Sequence, residues 1–335
     1  MKATVPASHP LVLAFDHSFI RKSGRHTPGL SWFYNGCAGR TEQGLELALL
    51  AVVDLNRNTA YALHARQRFP PTKDTNDKEG LCQDLRHLQE CQSAWPVGVK
   101  HLAADGAFTR HSFVEGVCAL GLDFVGKLRG DANMRYLFTG EQSGRGRPKV
   151  YDGKVKWKEF DSTRWQDEGE LEKGVWLYSA KLYHASLKRN VQVTLLRKDS
   201  PTKDSPTKGQ VLLFSTDLRL SAREIVQMYR ARFQIEFLFR DAKQGAGLNH
   251  CQSRNAKTLH FHWNAALAAL NIAKTQMPNS TTTSTTTRFS WASLCLKSTN
   301  QHLLKLFSTK LGWDWNHVKA HPNFHSLVNY GAIAP

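Results

Sequence analysis

The chain has 335 residues, 41% of them hydrophobic, enough to bury a sizeable core in one large domain that carries an insert. Lys and Arg number 45 against 28 Asp and Glu, a formal net charge of +17, which favours a polyanionic partner, although such a balance also fits ribosomal, membrane-surface or merely soluble proteins. Membrane proteins are disfavoured by the absence of an apolar span of about 18 residues or of a basic amphipathic anchor. Six cysteines form no CxxC and no zinc-type spacing with histidine, so reduced thiols and no structural metal site are expected. Leu11 to Phe15 is too short for the apolar core of a secretion signal.

Leu11 to Ile20 reads as a central strand with one carboxylate, Asp16, inside an apolar run. Such a carboxylate costs free energy unless a charge faces it, so Asp16 marks either a site or a strand-end turn. Leu30 to Cys37, Leu45 to Leu55 and Thr59 to Ala65 are further strands, with turns at Thr27-Pro-Gly and Asn56-Arg-Asn, and together they give an antiparallel meander. Lys78 to Cys91 spaces Leu81, Leu85 and Leu88 as a helix. His101 to Asp105 is a brief strand closed by an Asp-Gly pair, and a helix from Ser112 to Leu120 and a strand from Leu122 to Leu128 follow. Asp105-Gly alone is an ordinary turn; beside a second and third carboxylate it becomes a site candidate. These elements predict an α/β fold, a mixed sheet with helices on both faces.

About 130 residues then separate Asp105 from the next acidic candidate, too many for a simple crossover, so an insert is expected. Val150 to Trp157, Val175 to Tyr183, Val191 to Arg197 and Val211 to Ser215 read as its strands. The duplication within Asp199 to Lys208 reads as an exposed hairpin tip. Gly144-Arg145-Gly146-Arg147-Pro148-Lys149 resembles the core of an AT-hook, whose arginines enter a narrow minor groove. Arg145, Arg147 and Lys149 are accordingly expected to contact DNA, against the alternative of a solvated basic turn. Trp157, Trp165 and Trp176 lie in the same insert, and each by itself reads as core.

Tyr229, Arg232, Glu236 and Lys243 stand at offsets 0, 3, 7 and 14. On one helix these fall at roughly 0°, −60°, −20° and −40°, a polar stripe about 21 Å long. The stripe suits a phosphate backbone lying along the helix, with a metal held by the carboxylate and the cations on neighbouring phosphates. Ser221-Ala-Arg-Glu224 is a capping box for the start of this helix, and Gly245 and Gly247 a stop. Ile225, Val226, Met228, Phe233, Ile235, Phe237, Leu238 and Phe239 surround it with apolar side chains, which predicts a largely buried helix and a Glu236 that needs compensating charge. The bland alternative is a solvated helix with an ordinary Arg232 and Glu236 pair.

Tyr-x2-Arg-x3-Glu-x6-Lys resembles the signature of bacterial insertion-sequence transposases of the IS-four family, and the likeness continues through Gly247 to Arg254 and His260 to Lys274. The resemblance implies a ribonuclease-H-like (retroviral-integrase-like) mixed sheet flanked by helices, with a β-rich insertion subdomain. It implies a catalytic, metal-binding triad of Asp16, Asp105 and Glu236 holding two Mg²⁺ ions, or Mn²⁺, with Tyr229, Arg232 and Lys243 positioning DNA. Relatives that make DNA hairpins stack an extruded base on an insert tryptophan, which makes Trp157, Trp165 and Trp176 candidates for that role. The implied activity is cleavage at insertion-sequence ends and strand transfer into target DNA, by a homodimer on double-stranded DNA in a bacterial cytoplasm, at the nucleoid. Alternatives are a ribonuclease-H-like nuclease without strand transfer, or an inactive DNA-binding remnant of a mobile element.

The expected domains are 1–128, the first part of the core; 129–215, the insertion; 216–277, the core segment with the Glu236 helix; and 278–335, a Ser/Thr linker and helical tail, with a helix from Ala292 to Leu306. His260 and His262 point to opposite sides of their helix, about 200° apart, and read as surface or core residues rather than ligands. Only fifteen residues precede Asp16, where such transposases carry a helical end-recognition region. Either the reading frame is truncated or divided, or the insert and C-terminal part recognise the ends.

Overall fold

Apolar runs set the first strands of the structure, a computed structural model that describes residues 8–36, 38–70, 77–142, 144, 146–198, 209–275 and 289–332. The strands are β1 (Leu11–Arg21), β2 (Ser31–Asn35), β3 (Arg40–Asp54) and β4 (Thr59–Arg68), paired antiparallel along β2-β3-β1 and β3-β4. β3 begins five residues before the expected Leu45, because its polar start, Arg40 to Gly44, pairs with β2, where the Asn35 amide also donates to Glu42 at 2.8 Å. Gly44 closes this corner: a Cβ there would lie 2.4 Å from the carbonyl oxygen of Ile20 and against the Phe19 ring, so only hydrogen fits.

Helix α1 (Asp77–Glu90) leads to β5 (His101–Ala104), and α2 (His111–Ala119) leads from β5 to β6 (Asp123–Leu128). β5 lies parallel to both β1 and β6. The order β4-β3-β1-β5-β6, antiparallel in its first half and parallel in its second, is that of the ribonuclease-H-like core the resemblance implied. Phe15, Phe108, Phe113, Phe124 and Phe214 pack edge-on or tilted in its interior.

The insert strands continue this sheet. β7 (Met134–Leu137), β8 (Tyr151–Lys154), β9 (Gln166–Glu172), β10 (Val175–His184) and β11 (Arg189–Lys198) end in β12 (Gln210–Ser215), which pairs antiparallel with β6. Among the described residues a twelve-stranded sheet results, with β9 attached to β10 off the main path. Thr216 fastens the junction, its hydroxyl accepting from Phe124 N at 2.9 Å and donating to Asp123 at 2.7 Å. β7 and β9 have no counterpart in the sequence reading: β9 is Gln-Asp-Glu-Gly-Glu-Leu-Glu, without apolar alternation, and is held by backbone pairing with two register shifts. The Asp199 to Lys208 hairpin tip lies outside the described residues.

The expected single helix through Lys243 divides into α3 (Ala222–Ala231) and α4 (Gln234–Gln244). At the joint the bonds tighten to three-residue steps, Phe233 N to Arg230 O, Ile235 N to Arg232 O and Glu236 N to Phe233 O. Phe233 is 46% exposed there, edge-on to Phe237, so the helix is less buried than its apolar count implied. The Ser221 and Glu224 capping box is present in full. Gly247, at φ +75°, closes the other end, where Leu248 N bonds Ala242 O at 2.9 Å.

α5 (Ala256–Thr275), α6 (Trp291–Lys310), α7 (Trp315–Ala320) and α8 (Phe324–Val328) complete the described helices. The chain divides into two compact units, Met1–Phe237 with Arg254–His260, and Leu238–Ser253 with Phe261–Pro335. Within the second, the Asn300 side-chain amide ties α6 to the carbonyls of Val328 and Tyr330, and Lys274 is held down to about 8 by burial. Among the described residues no helix is long and apolar enough to cross a membrane.

Candidate active site

The parallel pairing of β1 with β5 sets the first two carboxylates side by side. Phe15 is registered with Ala104, so Asp16 and Asp105 occupy the next rung, one in mid-strand and one just past a strand end. Asp105 is held there as a cap, its Oδ1 accepting from Gly106 N at the start of a short 3-10 turn. Asp16 Oδ1 accepts from His17 N at 2.8 Å, which leaves Oδ2 for a cation.

That cation is Arg232, 9% exposed at the joint between α3 and α4. One arm donates to Asp16 Oδ2 at 3.2 Å and the other to Glu236 Oε1 at 3.1 Å. The guanidinium also lies 5.6 Å from the centre of the Tyr229 ring. Burial raises the Asp16 carboxyl above its ordinary range, Arg232 opposes the rise and Asp105 adds to it. Glu236 is raised for the same first reason, again opposed by Arg232 and reinforced by Asp16 and Asp105. The Tyr229 phenol is raised by burial and by the same two aspartates. Asp16, Asp105, Glu236, Tyr229 and Arg232 therefore share one electrostatic neighbourhood.

Three carboxylates against one guanidinium leave an excess of negative charge, which divalent cations with a preference for oxygen would offset. Asp16 and Asp105 also line a cavity of about 400 Å³ with Asp84, Arg68 and Arg110, room for solvent and a phosphate group beside them. The donor set thus fits Mg²⁺ or Mn²⁺ in kind. Among the described residues the triad is not one of the groups whose ligand atoms all lie within 4.8 Å of one another. Arg232, standing between Asp16 and Glu236, accounts for that spacing.

Some residues of this cavity were missed in the sequence. Asp84 is 1% exposed, accepting from His17 Nε2 at 2.9 Å and lying 3.5 Å from Arg68 Nε. Its position between Leu81 and Leu88, spaced three and four residues, sets it on the apolar stripe of α1, a signal that was available.

The other candidates are placed as follows. Arg145 lies outside the described residues. Arg147 and Lys149 are exposed; the Lys149 ammonium donates to Asp152 at 2.8 Å and sits 4.6 Å over the Phe138 ring. Trp165 is 7% exposed and packs on Trp157, whose indole N–H donates to Ala132 O at 2.7 Å. Trp165 is thus packed inside the insert, while Trp157 is half-buried. Trp176 is half-buried on β10. Lys243 is half-buried on α4 in the second unit, 5.9 Å over the Phe239 ring.

Two groups do meet the closer ligand spacing, His101 with Asp123 and Asp217, and His64 with His87 and Cys91. In the first, Arg219 binds Asp217 through two nitrogens and holds its carboxyl down to about 2 against the cost of burial, while Thr216 binds Asp123. Asp217 is thus paired with a cation and Asp123 accepts from a hydroxyl.

A mixed sheet of this order with acidic side chains at its parallel edge defines a ribonuclease-H-like α/β protein. The chain matches the family described as Transposase DDE domain over residues 7–272 and belongs to that family. It thus carries a DDE transposase domain, the domain of polynucleotidyl transferases. Among solved structures, the chain is similar to the X-ray crystal structure of Marinitoga piezophila Argonaute in complex with 5′ OH guide RNA and target DNA, at 12% identity and a TM-score of 0.24, over 79% of this chain and 31% of that one. The chain spans under a third of the length of that Argonaute. A comparison with curated proteins gave no match.

Proposed function

We propose that the chain is an insertion-sequence transposase of the IS-four type that cleaves element ends and joins them to target DNA. The observation that carries the reading is the shared guanidinium of Arg232, which links Asp16, on the rung beside Asp105, to Glu236 across 216 and four residues of sequence. Such a link supports a reading in which three acidic side chains from three elements serve one metal centre.

Asp16, Asp105 and Glu236 would hold the metal ions. When bound, two ions of this kind activate a water or 3′-hydroxyl and stabilise the leaving oxygen of an in-line displacement. Arg232 opposes the effect of burial on Asp16 and Glu236 and orients both. Tyr229 supplies a phenol beside them, and Arg68 and Arg110 supply cations to the phosphates in the adjoining cavity. Arg145, Arg147, Lys149 and, separately, Lys243 are assigned to DNA contact, and Trp157 and Trp176, both half-buried, are the insert candidates for stacking on a base. Paired cleavage of two ends calls for a dimer on the DNA, in a bacterial cytoplasm at the nucleoid.

The test is nicking and joining of element-end DNA in Mg²⁺ by the parent and by Glu236→Gln. The parent nicks and joins; the variant loses cleavage by at least about a thousandfold and keeps its DNA affinity, since it removes a metal ligand and a negative charge but no phosphate contact. Nicking without joining would leave a hydrolytic nuclease, and binding without either a remnant.

A further inference from the structure

A second cluster of donors lies away from the triad, where β4 meets the end of α1. His64 is on β4; His87 is on α1; Cys91 follows one helical turn later, its N–H bonded to His87 O at 3.2 Å. One ligand atom from each lies within 4.8 Å of the others. We propose that His64, His87 and Cys91 form a site for a divalent transition ion, zinc foremost, with His260 as the partner that orients His64.

The donor chemistry selects the ion. Two imidazoles and a thiolate suit zinc at about 2.0 to 2.3 Å, which sets donors roughly 3.5 Å apart, within small side-chain movements of the present spacing. They do not suit Mg²⁺, which takes oxygen. The same ions at the triad would therefore not fill this site.

Hydrogen bonding alone leaves the cluster incomplete. His64 Nδ1 lies 2.9 Å from His87 Nε2, and His64 Nε2 lies 3.0 Å from His260 Nε2. His87 is 1% exposed, and its Nδ1 has no hydrogen-bond partner among the described residues, an unfavourable state for a buried polar atom. Burial holds the His87 imidazole down to about 3 and lowers that of His64, so both rings are neutral, the form that binds metal. Burial raises the Cys91 thiol, and an ion would have to displace its proton. Arg66, the nearby cation, is paired with Glu90. In the group of His101, Asp123 and Asp217, by contrast, Asp217 is already paired with Arg219 and Asp123 accepts from Thr216.

Binding through His64 Nδ1 would leave its Nε2–H to donate to His260, the second-layer bond that fixes a ligand imidazole's tautomer and orientation. His64 is half-buried while His87 and Cys91 are buried, so the ion enters from the His64 side and a water completes the tetrahedron there.

The test is titration of the chelator-treated full chain with Co²⁺, in excess Mg²⁺ to saturate oxygen sites. The parent should take one tight equivalent, show a sulfur-to-cobalt charge-transfer band, and lose it to Zn²⁺. Cys91→Ser should abolish the band, His64→Ala should weaken binding at least tenfold, and His260→Ala about tenfold. Glu236→Gln should leave band and affinity unchanged, which separates this site from the triad. If His87→Ala does not fold, Cys91→Ser, nearly equal in volume, still decides. No band in the parent, a band that survives Cys91→Ser, or one lost in Glu236→Gln would overturn the proposal.

Discussion

Removing the Arg232 guanidinium would leave Asp16 and Glu236 without their shared countercharge, with Asp105 adding repulsion. The Arg232 side chain is 11% exposed and the two carboxylates 21% and 42%, so solvent screens only part of that loss. Arg232→Met should cost about 2 to 3 kcal/mol by urea unfolding in chelator, below the range for a fully buried pair. Mg²⁺ should then stabilise the variant more than the parent, because it replaces the missing cation; equal responses would mean that the carboxylates do not share a metal site. The raised carboxyls of Asp16 and Glu236 fix a pH dependence. A carboxyl raised in the fold binds more protons than in the unfolded chain, so metal-free stability falls as pH rises from the ordinary carboxylate range through the raised values. Metal binding needs the ionised form, so Mg²⁺-dependent cleavage should rise with pH over the same window. Asp16→Asn should flatten the stability slope; a slope unchanged in that variant would locate the titration elsewhere. Asp16 and Glu236 were legible in sequence because a charge within an apolar run or helix demands a partner. His87 and Cys91 were not, because their third donor comes from a strand 23 residues earlier, which no helical spacing reveals.

At the level of elements, α3 brings Tyr229 and Arg232 to the site, and its start is fixed by Ser221 and Glu224. Each side chain satisfies the other's backbone end, with Ser221 N donating to Glu224 at 2.9 Å. Ser221→Ala should lower stability by about 1 kcal/mol in a denaturant titration; an unchanged midpoint would mean that packing alone holds the helix start. Gly44→Ala on β3 should cost more than this, since its methyl would meet the Ile20 backbone carbonyl as well as the Phe19 ring. The capping box, the α1 leucines and the Asp-Gly turn could be read because each is a local signal. The joint at Arg232 and Phe233 could not, since the apolar spacing suits a straight helix equally well. β9 was equally hidden, because an acidic strand forms only where a neighbour offers its backbone, and β10 is set by tertiary packing.

For the molecule as a whole, the mixed sheet could be read from the alternation of strands and helices, but the continuity of the insert with the core could not. It depends on β12 finding β6, with Leu212 opposite Leu128, a pairing between segments that each read as an ordinary apolar strand. The net charge of +17 acts at this scale too, because long-range attraction to a polyanion sums over the surface rather than residing in one contact. DNA affinity should therefore fall steeply with salt, each phosphate contact contributing about 0.9 to the log-log slope. Arg145 and Arg147 flank Gly146, at φ +80° in an exposed stretch before β8, and Lys149 is already engaged by Asp152. Arg145→Ala with Arg147→Ala should thus reduce the slope's magnitude by roughly 1 to 2, and Lys149→Ala by less. If the arginines enter the minor groove, the loss is greater on AT-rich duplexes, where the narrow groove concentrates negative potential. Binding measured from low to moderate salt on AT-rich and GC-rich duplexes decides this: an unchanged slope and equal affinities for parent and variant would make the segment a solvated turn and assign the salt dependence to the rest of the basic surface.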